Sequence, residues 1–222
     1  MTQHRASSSY GHLALHYRGA ENGPKAARLL AAMGFHLSYS AETRTGPFWH
    51  FVLDEAAEGG TDRIVYLMNM PAPLSAIYDA IRDRVGGSQE AAQLREAQAD
   101  DPELGFHAAV VVHSLEELEA MAQRVRALGD SDPELQGHVR VTLNRARPGT
   151  PEVDARMDAS PIFADVTRYT YGRNGVQIFI ETDLISGGPL GDNWVFEFDY
   201  VFPGYKENIL NRPSPETPSI AA

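Results

Sequence analysis

The histidines are this chain's most informative reactive side chains. Two stand in matching surroundings: His12 in YGHLALHY and His107 in GFHAAVVV, each at the head of a short apolar run. An imidazole so placed is either a packed strand residue or a group that binds a metal or moves a proton. Spacing separates the two readings. His12 and His107 lie 95 positions apart, and so do Gly34 and Gly129, which close the helical stretch after each. Taken singly, each histidine reads as a strand residue. Taken together, at one phase of a repeated unit, they read as two ligands of one centre. His16, His50, His113 and His138 are further acid–base candidates, and such work requires hydrogen-bond reach to a substrate.

The elements around them repeat as well. Residues 11–17 read as a strand, and Pro24 suits the first turn of a helix over KAARLLAAMGF, with Gly34 as its C-terminal stop. FHLSYS and FWHFVLDEA read as strands separated by AETRTGP, and RIVYLMNM as another, giving a first βαβββ module over residues 11–70. Alternation places Trp49 and Phe51 on one side of their strand, Phe48 and His50 on the other. Residues 71–104 break this rhythm and read as a helical insertion or linker, two short polar helices divided at Gly86-Gly87.

The second module, 105–186, opens with the strand FHAAVVVHS. Ser114 then caps the helix LEELEAMAQRVRALG, with Glu117 three residues on. Strands follow at HVRVTLNRA, IFADVTRYTYG and GVQIFIETDLI, the last two joined as a hairpin at Arg173-Asn174-Gly175. Residues 1–10 form a short N-terminal segment. Residues 187–222 form an extension in which WVFEFDYVF is an extra strand and RPSPETPSIAA a mobile tail. The fold class is α+β, built on two βαβββ modules.

Composition removes several functions. Without cysteine there is no disulfide scaffold, no thiolate zinc site and no cysteine nucleophile. A formal charge of −11 argues against a nucleic-acid partner, which needs a basic face. The opening MTQHRASSSYGH has no apolar secretion core, and no run of about 18 apolar residues spans a membrane, so a cytoplasmic, soluble protein is expected. With 43% apolar residues the chain can bury a full core.

A repeated βαβββ module with a histidine in each first strand resembles the vicinal oxygen chelate superfamily, which includes glyoxalase I, bleomycin- and fosfomycin-resistance proteins and type I extradiol dioxygenases. The resemblance covers roughly residues 10–70 and 104–186. It implies a cleft of curved sheet with a divalent metal held by the first and last strands of each module. Carried over, His12 and His107 take the first-strand positions, and VQIFIETD, read as the last strand of the second module, offers Glu181. RIVYLMNM offers no carboxylate or histidine, only Tyr66, Asn69 and methionines.

Two imidazoles and a carboxylate on one face of a metal leave three positions open, the arrangement of non-haem Fe(II) oxygenases. The resemblance therefore implies an extradiol-like dioxygenase acting on a catechol or similar aromatic substrate with dioxygen. Fe(II) is the expected metal, with Mn(II), Zn(II) or Ni(II) as alternatives. Tyr171, ten residues before Glu181, is the expected donor to a substrate oxygen, and His138 an acid–base group. Two other readings stay open: a glyoxalase-type isomerase or lyase, and a metal-free protein that sequesters an aromatic ligand. The C-terminal extension would cover the cleft mouth or pair two copies as a homodimer.

Overall fold

A computed structural model describes residues 10–190 and 193–210. The segment 1–9 and the proposed tail from 212 onward lie outside the described residues. The chain forms two compact units. One comprises the chain up to Glu96 with the segment Asp183–Trp194; the other runs from Ala97 to Thr182 and resumes at Val195.

In the first unit, β1 (His12–Tyr17) leads through a short turn into α1 (Asn22–Ala32), followed by β2 (His36–Thr43), β3 (Gly46–Val52) and β4 (Ile64–Asn69). The strand order is β2-β3-β4-β1, with β1 parallel to β4 and the remaining neighbours antiparallel. Period-two burial explains β1: Leu15 and Tyr17 are buried, while His12 and Ala14 are exposed. Ala26, Leu29 and Leu30 give α1 its buried stripe, and α1 packs on β1 and β4. Gly34 ends the helix as expected. Its φ is +98°, and the amides of Gly34 and Phe35 return to the carbonyls of Ala31 and Leu30. Gly23 is required by close approach: a Cβ there would sit 2.8 Å from the Trp49 ring and 2.9 Å from that of Tyr17. Helices α2 (Ala72–Val85) and α3 (Gln89–Asp100) follow, with Gly86 and Gly87 between them.

The second unit contains β5 (His107–Val111), α4 (Leu115–Ser131), β6 (Val139–Asn144), α5 (Pro151–Asp158), most of β7 (Gly175–Ser186) and most of β8 (Asn193–Val201). Ser114 caps α4 through an Oγ that accepts the Glu117 amide at 3.2 Å. β5 is parallel to β8, β8 lies beside β7, and β7 is antiparallel to β6. Both units therefore run strand, helix and three further strands, the second with α5 added, and in each the first strand is parallel to the fourth. This is the repeated module order that the resemblance implied, and the α+β class holds.

The fourth strand of the second unit is not where the sequence suggested. Residues 162–171 form no strand beyond a single bridge between Arg145 and Tyr169. The Ser160 Oγ accepts the amides of Ile162 and Phe163, which turns the chain, and β7 already occupies the neighbouring edge of β6. Alternation alone does not make a strand without backbone pairing to a neighbour. The Arg173-Asn174-Gly175 turn, with Asn174 at φ +59°, leads into β7 and joins no hairpin. WVFEFDYVF is thus the module's own fourth strand, not an extra one. Among the described residues, no helix is long and apolar enough to cross a membrane.

Candidate functional site

Each sheet has one face against a helix and one facing away from it, and the second face carries the chemistry. In the first unit, Leu15, Tyr17, Val65, Leu67 and Phe51 fill the helix side, joined by Trp49, which meets Tyr17 edge-on. Alternation turns His12, Phe48, His50 and Tyr66 to the other side, where Tyr39 joins them opposite His50. These five rings form one continuous surface. His12 lies 4.8 Å from Tyr66, Phe48 and His50 each 5.4 Å from Tyr66, and Tyr39 stacks on His50 at 4.8 Å. None is fully buried, and Tyr39 is 52% exposed. The His50 Nδ1 is buried without a hydrogen-bond partner. Burial also lowers the pKa of His16, further along β1, and so favours its neutral form.

The corresponding face of the second unit is polar. Gln177 donates through Nε2 to Glu103 at 2.6 Å and to Glu197 at 2.7 Å. His107 hydrogen-bonds the Gly105 carbonyl through Nδ1 at 2.9 Å, and its Nε2 stands 3.5 Å from Glu197. Asp199, two residues beyond Glu197 on the same face of β8, is 1% exposed, and its Oδ1 has no partner. Burial pushes the Asp199 carboxyl up to about 8, helped by the charge of Glu197, a hydrogen bond to it and the charge of Glu103. Glu103 is raised too, chiefly by burial, against the lowering effect of its Gln177 hydrogen bond.

The residues singled out in the sequence fall as follows. His12 and His107 are the first residues of β1 and β5, at the same place in each module. Their environments differ: His12 packs on a tyrosine ring, His107 on a carboxylate. Glu181 needs correction. It lies on the third strand of its module, and its Oε2 accepts Arg140 Nη2 at 2.6 Å, while Oε1 is buried without a partner. The carboxylates of the true fourth strand are Glu197 and Asp199. Tyr171 donates its hydroxyl to Asp101; burial, then that bond, raises its pKa well above the ordinary phenol range. His138 lies in the turn before β6, and His113 is exposed just after β5. Missed entirely were Glu103 and Gln177. The alternation of Phe196 and Phe198 with Glu197 and Asp199 was a signal that could have revealed the other two.

The expected metal set was His12, His107 and Glu181. A guanidinium 2.6 Å from Glu181 competes directly with a divalent cation for that carboxylate. Among the described residues, no three histidine or carboxylate side chains are grouped to hold a metal ion.

No family model and no curated relative matches the chain. Among solved structures it is similar to TnmS3, an antibiotic binding protein from Streptomyces sp. CB03234. Identity there is 12%, over 89% of this chain and 99% of that one, with a TM-score of 0.38. A structure described as a glyoxalase superfamily protein, from Ralstonia eutropha JMP134, is likewise 12% identical, over 90% of this chain and 74% of that one, with a TM-score of 0.22. At these values neither likeness carries a ligand or a reaction across.

Proposed function

We propose that this chain is a metal-independent binding protein for a flat aromatic small molecule, received on the ring-lined face of the first unit. The continuous, incompletely buried surface of Tyr39, Phe48, His50, Tyr66 and His12 carries this reading. Aromatic pairs at these separations gain about 0.5–1.5 kcal/mol beyond the area they bury. A planar ligand laid on several rings at once collects that gain repeatedly and removes the remaining exposed ring surface from water. The rings are held by a four-stranded sheet, so little ordering is required when the ligand arrives.

A ring-cleaving iron dioxygenase would need three donors on one face of its metal. Glu181, one of the three expected donors, is already engaged by Arg140, and that supports binding over this chemistry. The test is titration of EDTA-treated protein with 2-naphthol, followed by heat and by ligand fluorescence. Saturable binding that survives EDTA and falls about tenfold or more in Tyr66→Ala supports the reading. Binding that appears only after Fe(II) is added, or oxygen uptake with a catechol, would overturn it.

A further inference from the structure

The ring surface of the first unit contains one side chain whose hydrogen-bonding capacity the chain leaves unused. His50 stands on β3, opposite Tyr39 of β2 and Tyr66 of β4. Its Nδ1 is buried and has no hydrogen-bond partner. Among the described residues its Nε2 has none either, but that nitrogen is not closed off as Nδ1 is, and the residue as a whole is only half-buried. The two faces of the ring are not equally available. Tyr39 stacks on one of them at 4.8 Å, with 18° between the planes. The ring is also inclined by 50° to that of Tyr66. A planar molecule lying on Tyr66 therefore meets His50 at its edge, where a nitrogen decides the contact.

We infer that His50 sets the ligand's polar specificity: it donates an N–H from Nε2, and the flat aromatic ligand carries a hydrogen-bond acceptor, a carbonyl oxygen or a ring nitrogen, on the edge that meets it. This inference rests on the binding reading above and names the class of ligand that the face admits. A neutral imidazole has a single N–H, and the hydrogen bonds open to its two nitrogens decide which of them carries it. A proton on Nδ1 would be an N–H buried with nothing to receive it. Folded proteins tolerate an under-satisfied acceptor more often than an orphaned N–H. Placed on Nε2, the same proton faces the ligand, and Nδ1 keeps only its lone pair. A protonated ring would donate from both nitrogens and accept from none, so the preference has the same sign in either charge state. A ligand that offers only a donor would force the proton onto Nδ1, and His50 selects against it.

The experiment titrates the full chain, EDTA-treated and in mildly alkaline buffer, with three flat bicyclic probes of similar size. Naphthalene has no polar group, quinoline has an acceptor nitrogen alone, and indole has a donor N–H alone. Quinoline should bind about threefold to tenfold tighter than naphthalene, and indole should bind more weakly than quinoline by at least as much. His50→Phe keeps a ring against Tyr39 and removes both nitrogens. In that variant the ratio of quinoline to naphthalene affinity should fall to about one, with circular dichroism confirming that the fold is kept. In the unsubstituted protein, NMR of the ring nitrogens should show His50 of the quinoline complex carrying its proton on Nε2. Equal affinity for quinoline and naphthalene would overturn the inference and leave the binding face standing, as would a quinoline preference that survives His50→Phe. Tighter binding of indole than of quinoline would overturn it by making His50 an acceptor. Failure of all three probes to bind would remove the binding reading, and this inference with it.

Discussion

The two units build the same module and finish it with opposite chemistry. In each, a first strand that opens on histidine runs parallel to the fourth. Tyr66 lies opposite Ala14 in the first ladder, and Glu197 lies opposite Ala109 in the second. One fold position is therefore a phenol ring against His12 in one unit and a carboxylate against His107 in the other. The helix-facing sides show no such divergence, being apolar in both. Burial against a helix allows little but apolar side chains of suitable volume. The opposite face is under no such constraint, and function can diverge there.

If so, the largest effects should come from the side the units share, and should be similar in both. Phe196→Ala in the second unit should cost about 3–5 kcal/mol of stability, and Leu15→Ala in the first about 2–5 kcal/mol, since both side chains are 1% exposed. Chemical denaturation followed by far-ultraviolet circular dichroism measures both. A loss below about 1 kcal/mol at either site would mean that the helix sides are not equivalent.

The next effect belongs to the polar face alone. Asp199 is held near 8, far above the carboxyl's usual value, by burial and by Glu197 and Glu103. A carboxyl whose pKa rises on folding stabilises the fold fully below about pH 4, where both states are protonated. That contribution is lost as pH rises through about 8. The melting temperature should therefore fall by several degrees between pH 5.5 and 8.5, at about 2–4 °C for each kcal/mol in a chain of this size. Asp199→Asn should flatten that slope. An identical slope in the variant would place the titration elsewhere.

Much of this asymmetry was legible in the residues, but not all. The first module could be read because each segment's pattern agreed with its fate: Leu29 and Leu30 at helical spacing, Gly34 at the stop, Phe48 and His50 alternating away from Trp49 and Phe51. The second module misled at one point. IFADVTRYTYG has a strand's composition, yet after the Ser160 turn it makes only one bridge, Arg145 to Tyr169. Strand pairing depends on which edge the chain reaches, and that is a tertiary fact. The error moved the fourth strand, so Glu181 was read onto it where Glu197 stands. The paired placement of His12 and His107 was right as a statement of position. Their surroundings depended on what stood beside them, Tyr66 or Glu197, and that required the register.

Exchanging the two chemistries sharpens the comparison further. Tyr66→Glu would give the first unit the side chain found at the matching place in the second. The site is half-exposed on a strand face, so the fold should persist. The new carboxylate would lie among Phe48, His50 and His12, removing the central ring that three others contact. Binding of 2-naphthol should weaken by about tenfold or more, with circular dichroism confirming that the fold is kept. Undiminished binding in the variant would place the ligand elsewhere.

The smallest effect tests where the aromatic surface ends. Tyr39 stacks on His50 with an interplanar angle of 18° and meets Phe48 at 6.0 Å, but more than half of it is open to water. In the free protein, Tyr39→Ala removes one exposed stack, worth roughly 0.5–1 kcal/mol. For the bound ligand the outcome depends on reach. If the planar molecule extends past His50 to this edge, the variant should weaken binding about threefold to tenfold. If the ligand stops at Tyr66, affinity should hold while stability falls by the same small amount. Titrating the variant with one-, two- and three-ring probes distinguishes these outcomes, because only a ligand long enough to touch Tyr39 can register its loss.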